Sequence, residues 1–260
     1  MLELYNKTVR EIAVEFPRTT RVFEEFKIDY CCAGERNFGD ACQFAGVAPF
    51  VVSQKIEAEL AGPDKCGDLE SPERKNASDL ADYIVERHHV LTTNEIARLT
   101  NLVEKVCRKH GARHSELFDI QTIFLALAGE LAIHMRKEEM VLFPYIKTLY
   151  SAVSGNGPAA EPHFVTVRNP VRRMMTEHDA AGDFLQQMRQ LSKNYALPEG
   201  ACPSLRALYY GFEDLEKDLH RHIHLENNVL FPRAIELEQK VFGKAAGKNG
   251  ADYVRPSSCN

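Results

Sequence analysis

At 260 residues, with 44% hydrophobic and 27% charged side chains, the chain has room for one large domain or a main domain with a small one. A formal net charge of −5 excludes the basic field that recruits nucleic acid or an anionic membrane surface. No apolar run approaches the roughly 18 residues of a membrane span, the opening Met-Leu-Glu-Leu-Tyr-Asn-Lys reads as no export signal, and seven cysteines without paired spacing point to a reducing cytosol.

Residues 1–60 read as a small helical unit. Segments Thr8–Phe16, Arg18–Phe26 and Ser53–Leu60 look helical, with breaks at Pro17 and Pro49. Between them lies Ile28-Asp29-Tyr30-Cys31-Cys32-Ala33-Gly34, followed by Cys42. The adjacent thiols of Cys31 and Cys32 suit a redox or transfer pair, or soft ligands for an incoming metal or nitrosyl. Small buried side chains in a turn would produce the same letters. Residues 61–76 are polar, with a single Leu and no helical stripe, and form a linker long enough for the units to fold separately and move. Cys66, Cys107, Cys202 and Cys259 have no evident partner and read as plain thiols.

Four long segments with helical periodicity follow, near 77–109, 115–149, 168–196 and 204–241, together a domain over 77–242. At 1.5 Å per residue the second is about 50 Å long. Modest connections, including a Gly- and Pro-rich loop from about Ser151 to Thr166, make the four an antiparallel bundle. Residues 243–260, rich in Gly, Ala, Lys and Ser, read as a flexible tail.

The bundle is an internal duplication. The second segment carries the stripe Leu117, Ile120, Phe124, Leu127, Leu131, His134, Glu138 and Val141. The fourth carries Leu205, Leu208, Phe212, Leu215, Leu219, His222, Glu226 and Val229, each 88 positions later. Both continue into Leu-Phe-Pro. The first and third segments match at an offset of 89, where His89, Ile96 and Leu99 correspond to His178, Leu185 and Met188. Two helical hairpins so related enclose one interior with an approximate twofold.

A core stripe should be apolar, because desolvating a carboxylate costs several kcal/mol unless something compensates. Here two stripes each carry a His and a Glu four residues apart, on one helix face. One such pair is most simply a surface pair or a satisfied core histidine. Two pairs within duplicated stripes, with a stripe histidine on each remaining helix, converge as a metal site: His89, His134, Glu138, His178, His222 and Glu226. Two carboxylates suit two divalent ions held about 3.5–4 Å apart. No cysteine shares these faces, which disfavours structural zinc, and imidazole with carboxylate in a bundle points to iron ahead of manganese.

His89 is in register with Val85, Ile96, Leu99, Val103 and Val106, so His88 is expected to face away, as are His220 and His224 beside His222. His110, His114 and His163 fall in or beside loops. Glu130, one turn before His134, and Asp218, in the matching place before His222, either accept an N–H from a ligand histidine or face outward. Glu177, beside His178, is a candidate proton relay.

The segment Asp-Tyr-Cys-Cys-Ala-Gly, followed by His-Met-Arg-Lys-Glu and His-Ile-His-Leu-Glu-Asn-Asn-Val-Leu-Phe-Pro, resembles the repair-of-iron-centres family over residues 1 to about 240. The resemblance implies an all-α protein: a small helical domain before a hemerythrin-like di-iron four-helix bundle. It implies a stress-response role in the cytoplasm, restoring iron–sulfur clusters damaged by nitric oxide or oxidants. Two irons, oxo-bridged and bridged by Glu138 and Glu226, would be held by the six stripe residues, and Cys31-Cys32 matches the family's cysteine pair. Oxygen-carrying hemerythrins use five histidines and an aspartate, which the six positions do not supply. The expected partners are nitric oxide or oxygen, damaged or apo iron–sulfur proteins and an unidentified electron donor; a homodimer is left open by the sequence, and nucleic acid and membrane are not expected. Iron donation, nitric oxide reduction at the di-iron pair, and nitric oxide sequestration or sensing all fit the same residues.

Overall fold

The computed structural model describes residues 4–61, 71–158 and 164–243; Cys66, His163, Cys259, most of the expected linker and the tail beyond Gly243 lie outside them. Apart from an isolated bridge between Thr8 and Asn37, the described residues contain no β-structure.

The N-terminal unit is built from α1 (Val9–Glu15), α2 (Thr19–Glu25), α3 (Phe38–Phe44) and α4 (Pro49–Ala61). Thr8 starts α1 through a reciprocal cap: its hydroxyl accepts the Glu11 N–H at 3.2 Å, and the Glu11 carboxylate accepts the Thr8 N–H at 2.8 Å. Pro17 separates α1 from α2 as expected. Pro49, expected as a break, instead opens α4, where its missing N–H has no helical partner to lose. The sequence reading also missed α3, which is short and buries Phe38 and Cys42.

The bundle comprises α5 (77–110), α6 (Glu116–Val153), α7 (Arg168–Leu191) and α8 (203–242). Three of these are interrupted by a π turn, at Ile84–His89, Glu138–Leu142 and Glu226–Leu230. In α6 and α8 the cause is legible. Pro144 and Pro232 have no N–H to give the carbonyl four residues back, and Phe143 and Phe231 bond to Glu138 and Glu226, five residues back. The wide turn rotates everything after it. Val141, expected on the core stripe, is therefore 49% exposed, and Leu142 takes the inner position. α7 ends at Leu191, short of the expected 196, because Lys193, Asn194 and Tyr195 all take positive φ, at 53°, 60° and 57°.

Two apolar clusters fill the bundle. One gathers Leu99, Val103, Phe124, Leu127, Leu185 and Phe212; the other gathers Leu80, Ile84, Phe143, Ile146, Met174 and Phe231. The duplicated Phe124 and Phe212 meet with ring centroids 5.0 Å apart, on the pseudo-twofold. A third cluster fills the N-terminal unit and includes Ile223 of α8, so that unit is docked on α8. The end of the expected linker is fastened there too. Residues Pro72–Arg74 form a 3₁₀ turn, buried Glu73 pairs with Arg221, and Arg233 donates to the carbonyls of Glu73 and Lys75.

The twofold is broken by that docking. Residues 222–231 of α8 are all buried, whereas the matching residues 134–143 of α6 leave Met140 and Val141 exposed. α6 contains an 18-residue window of mean hydropathy 1.4, long and apolar enough to cross a membrane, contrary to the expectation that no such run exists. This helix nevertheless buries His134 and Glu138 in the bundle.

α8 approaches α5 closely at Gly211, where a Cβ would lie 2.5 Å from Arg98 Nη2 and 2.6 Å from Leu99 Cδ2. Gly211→Ala should force the helices apart and cost about 1–3 kcal/mol. Chemical unfolding of the variant checks this; unchanged stability would mean the contact yields without strain.

Candidate metal centre

The stripe logic brings all six expected residues to one place between the two apolar clusters. His89 (α5), His134 and Glu138 (α6), His178 (α7), and His222 and Glu226 (α8) are 0–4% exposed. The histidines face in pairs across the interior. Nε2 of His89 lies 3.2 Å from Nε2 of His222, and Nε2 of His178 lies 3.0 Å from Nε2 of His134.

Each carboxylate spans both pairs. Glu138 places Oε2 3.4 Å from His89 and Oε1 3.3 Å from His134. Glu226 places Oε1 2.9 Å from His222 and Oε2 3.1 Å from His178. Two four-donor clusters result, His89–His222 and His134–His178, sharing both glutamates. Both oxygens of Glu138 and Oε2 of Glu226 are buried without a hydrogen-bond partner among the described residues. Orphaned anionic oxygens facing imidazole nitrogens fit cations, and shared carboxylates fit two of them.

Electrostatics agree. Burial pushes Glu138 and Glu226 upward, yet the surrounding imidazoles more than offset it and hold both below the usual carboxylate range. Burial likewise works against protonated His134, but the charge of Glu138 prevails and lifts it to about 9; His89 is raised in the same way. His222 is lowered, chiefly by burial. Metal and proton therefore compete for His134 and His89.

Most rings are aimed from behind. His89 Nδ1 meets Glu139 at 2.7 Å, His134 Nδ1 meets Glu177 at 3.0 Å, and His178 Nδ1 meets Asn227 at 2.9 Å. Burial works against ionised Glu177, but hydrogen bonds from Lys137, His134 and Arg173 outweigh it and lower the carboxyl to about 2. Glu139 and Asn227 escaped the sequence reading, although each directly follows a stripe glutamate at the duplication offset of 88.

Several flanking residues differ from expectation. His88 is buried, because the π turn at Ile84–His89 carries it inward; its Nδ1 meets Asp218 at 3.0 Å. Asp218 thus serves His88, while Glu130, exposed to solvent, lines a small cavity together with His134, Glu177, His178 and His222. His224, expected in solvent, is fully buried against Tyr30 and Asn228, because the N-terminal unit covers that face. Half-buried His220 meets Glu24 of α2 at 2.9 Å.

The same docking brings the cysteine pair to the centre. Asp29 Oδ1 accepts the N–H groups of Cys31 and Cys32 at 3.1 and 2.8 Å, and the two sulfurs lie 3.8 Å apart. Cys32 Sγ is 4.0 Å from the His178 carbonyl, and Asn227 donates to the Cys31 carbonyl at 3.4 Å. A hydrogen bond with Cys32 and burial push the Cys31 thiol well above its usual range. Asp29, Cys31 and Cys32 form a third, smaller cluster of metal-capable atoms. All five cysteines among the described residues are free.

The hemerythrin HHE cation-binding domain matches residues 80–234, and a domain of unknown function matches residues 5–60. Iron–sulfur cluster repair proteins named YtfE, from Yersinia pestis strain Pestoides F and Yersinia pseudotuberculosis strain YPIII, are 32% identical over 237 residues, covering 91% of this chain and all of theirs. The chain belongs to the repair-of-iron-centres family. For a member of this family the HHE match indicates iron binding, and the six buried residues lie within the matched segment.

His134→Ala or His222→Ala should lower bound iron per chain, read by metal analysis of the folded protein; full retention in both would remove them as ligands. His89→Ala should lose iron and His88→Ala should retain most of it; the opposite ranking would reverse the inward register. Loading the metal-free protein with Fe(II) at pH 7 should also release protons, because His134 and His89 are raised; loading should weaken as pH falls. An indicator dye in weak buffer reads this, and no release would mean that both rings are neutral beforehand.

Proposed function

We propose that this chain is a di-iron protein that helps to repair damaged iron–sulfur clusters by supplying iron. The observation that carries the reading is the pair of buried glutamates, each spanning two facing histidine pairs. Its support comes also from relatives whose name states iron–sulfur cluster repair. Bound there, two ferrous ions would supply an exchangeable iron store and a redox-active pair. The chain's own part is to hold them by nitrogen and oxygen alone, without the thiolate grip that would oppose release. His89, His134, His178 and His222 would hold the ions through Nε2 together with the carboxylates of Glu138 and Glu226, which both clusters share, while Glu139, Glu177 and Asn227 orient rings from behind.

The clients are iron–sulfur proteins damaged by nitric oxide or oxygen, served in a reducing compartment with an electron donor. Cys31 and Cys32 are the transfer or redox element, set beside His178 by the docking of the N-terminal unit on α8. The exposed flank of α6 offers a second copy an apolar face.

Iron-loaded protein mixed anaerobically with an apo iron–sulfur protein and sulfide should restore the client's cluster absorption. No transfer above free-iron controls would overturn the donor reading. The double variant Cys31→Ser with Cys32→Ser should slow repair while leaving iron content and spectrum unchanged. Repair equal to wild type would make the thiols packing residues.

A further inference from the structure

The duplication supplies four places from which a ligand ring can be oriented. Glu139 and Asn227 follow the stripe glutamates by one residue, at the offset of 88; Glu177 and His88 precede the stripe histidines of α7 and α5 by one residue, at the offset of 89. The first two serve related rings: Glu139 of α6 meets His89 of α5, and Asn227 of α8 meets His178 of α7. Glu177 of α7 meets His134 of α6. The twofold therefore assigns His88 of α5 to His222 of α8.

That fourth contact is not made. His88 turns its Nδ1 to Asp218, and its ring stacks on His222 with centroids 5.6 Å apart and planes 13° from parallel. His222 Nδ1 and His88 Nε2 are both buried with no hydrogen-bond partner among the described residues. Stacking fixes the plane of the His222 ring but gives its N–H no acceptor. A ring that binds metal through Nε2 presents Nδ1–H outward, and an acceptor there makes the ring a stronger, better-aimed ligand. Losing one costs about 10–100-fold in metal affinity.

We infer that the two halves of the centre hold metal unequally, and that the iron between His89 and His222 is surrendered first. This rests on the di-iron reading above and names which ion is the cargo. In the firmer half both rings have acceptors, Glu177 for His134 and Asn227 for His178. In the looser half only His89 has one, and that acceptor, Glu139, is 42% exposed against 11% for Glu177. Water competes for an exposed carboxylate, so the remaining contact is also the weaker one. The cysteine pair stands over His178, in the firmer half.

The test is release from the full-length Fe(II)-loaded protein to an excess of Fe(II) chelator, followed anaerobically. Wild type should lose one iron about tenfold faster than the other. Glu177→Gln should accelerate the slow phase alone, Glu139→Gln the fast phase alone. Asn227→Ala probes the slow phase independently should Glu177→Gln bind metal poorly. A single phase in wild type, or acceleration of the fast phase by Glu177→Gln and Asn227→Ala, would overturn the assignment. Release to a chelator does not depend on a client. Two phases without client repair would remove the donor reading alone, and repair with a single phase would remove only this inference.

Discussion

Two carboxylates with no exposure, set among four imidazoles inside an apolar bundle, are the constraint around which the protein is organised. An ionised carboxylate is not tolerated in such a place on hydrophobic packing alone. It requires positive charge at both oxygens, and the four rings supply donors for that charge from every helix. The remaining architecture follows from holding these six side chains still. Apolar clusters close the bundle on either side of the centre, and three of the four helices widen into π turns that contain His89, Glu138 and Glu226. An α-helix would continue its stripe past Glu138 and Glu226. The prolines six residues on make that continuation impossible, and the wide turn lets the glutamate face the centre while Leu142 and Leu230 resume the core.

Duplication explains the economy of the site, and departures from it explain its polarity. Each half-motif contributes two histidines, one glutamate and a residue directly after that glutamate, so two copies give a nearly symmetric cage. The N-terminal unit then covers α8 and leaves α6 bare. Asn228 and His224, buried under Tyr30, belong to the covered face; Met140 and Arg136, their counterparts in α6, are exposed. Asn227 illustrates the same division of labour. Its carbonyl oxygen serves a ring nitrogen and its amide nitrogen reaches the Cys31 carbonyl, a pair of contacts the carboxylate of Glu139 could not make.

The bundle and the six residues of the centre were legible because burial imposes periodicity, and a His or Glu repeated on a buried stripe has few explanations. The resemblance to known repair proteins pointed to the same residues. What the sequence hid was of two kinds. Register at a π turn cannot be read from a 3.6-residue period, which places Val141 inside and His88 outside. Leu-Phe-Pro, repeated at both sites, was the available warning for the first; the turn at Ile84–His89 has no proline to announce it. Burial imposed by a separate unit is the second kind. His224 and His220 look solvent-facing on α8 alone, and only the docking of Tyr30 and Glu24 covers them. The short α3 escaped for a related reason, since seven residues carry too little period to register.

On the proposed donor function, the protein faces opposite demands. Its centre must hold metal firmly enough to stay loaded, yet at least one ion must leave on a useful timescale. Softer ligands or fewer of them would weaken both ions together. Shared bridging carboxylates add a further difficulty, because each oxygen pair links the fates of the two metals. Varying the contacts behind the rings avoids this: six ligands stay in place, and one hydrogen bond fewer on one side lowers the hold on one ion. In a duplicated bundle such a change needs only a single position to drift from its twin. His88, standing where its counterpart is Glu177, is that position, and its turn toward Asp218 leaves the His222 ring stacked but unanchored.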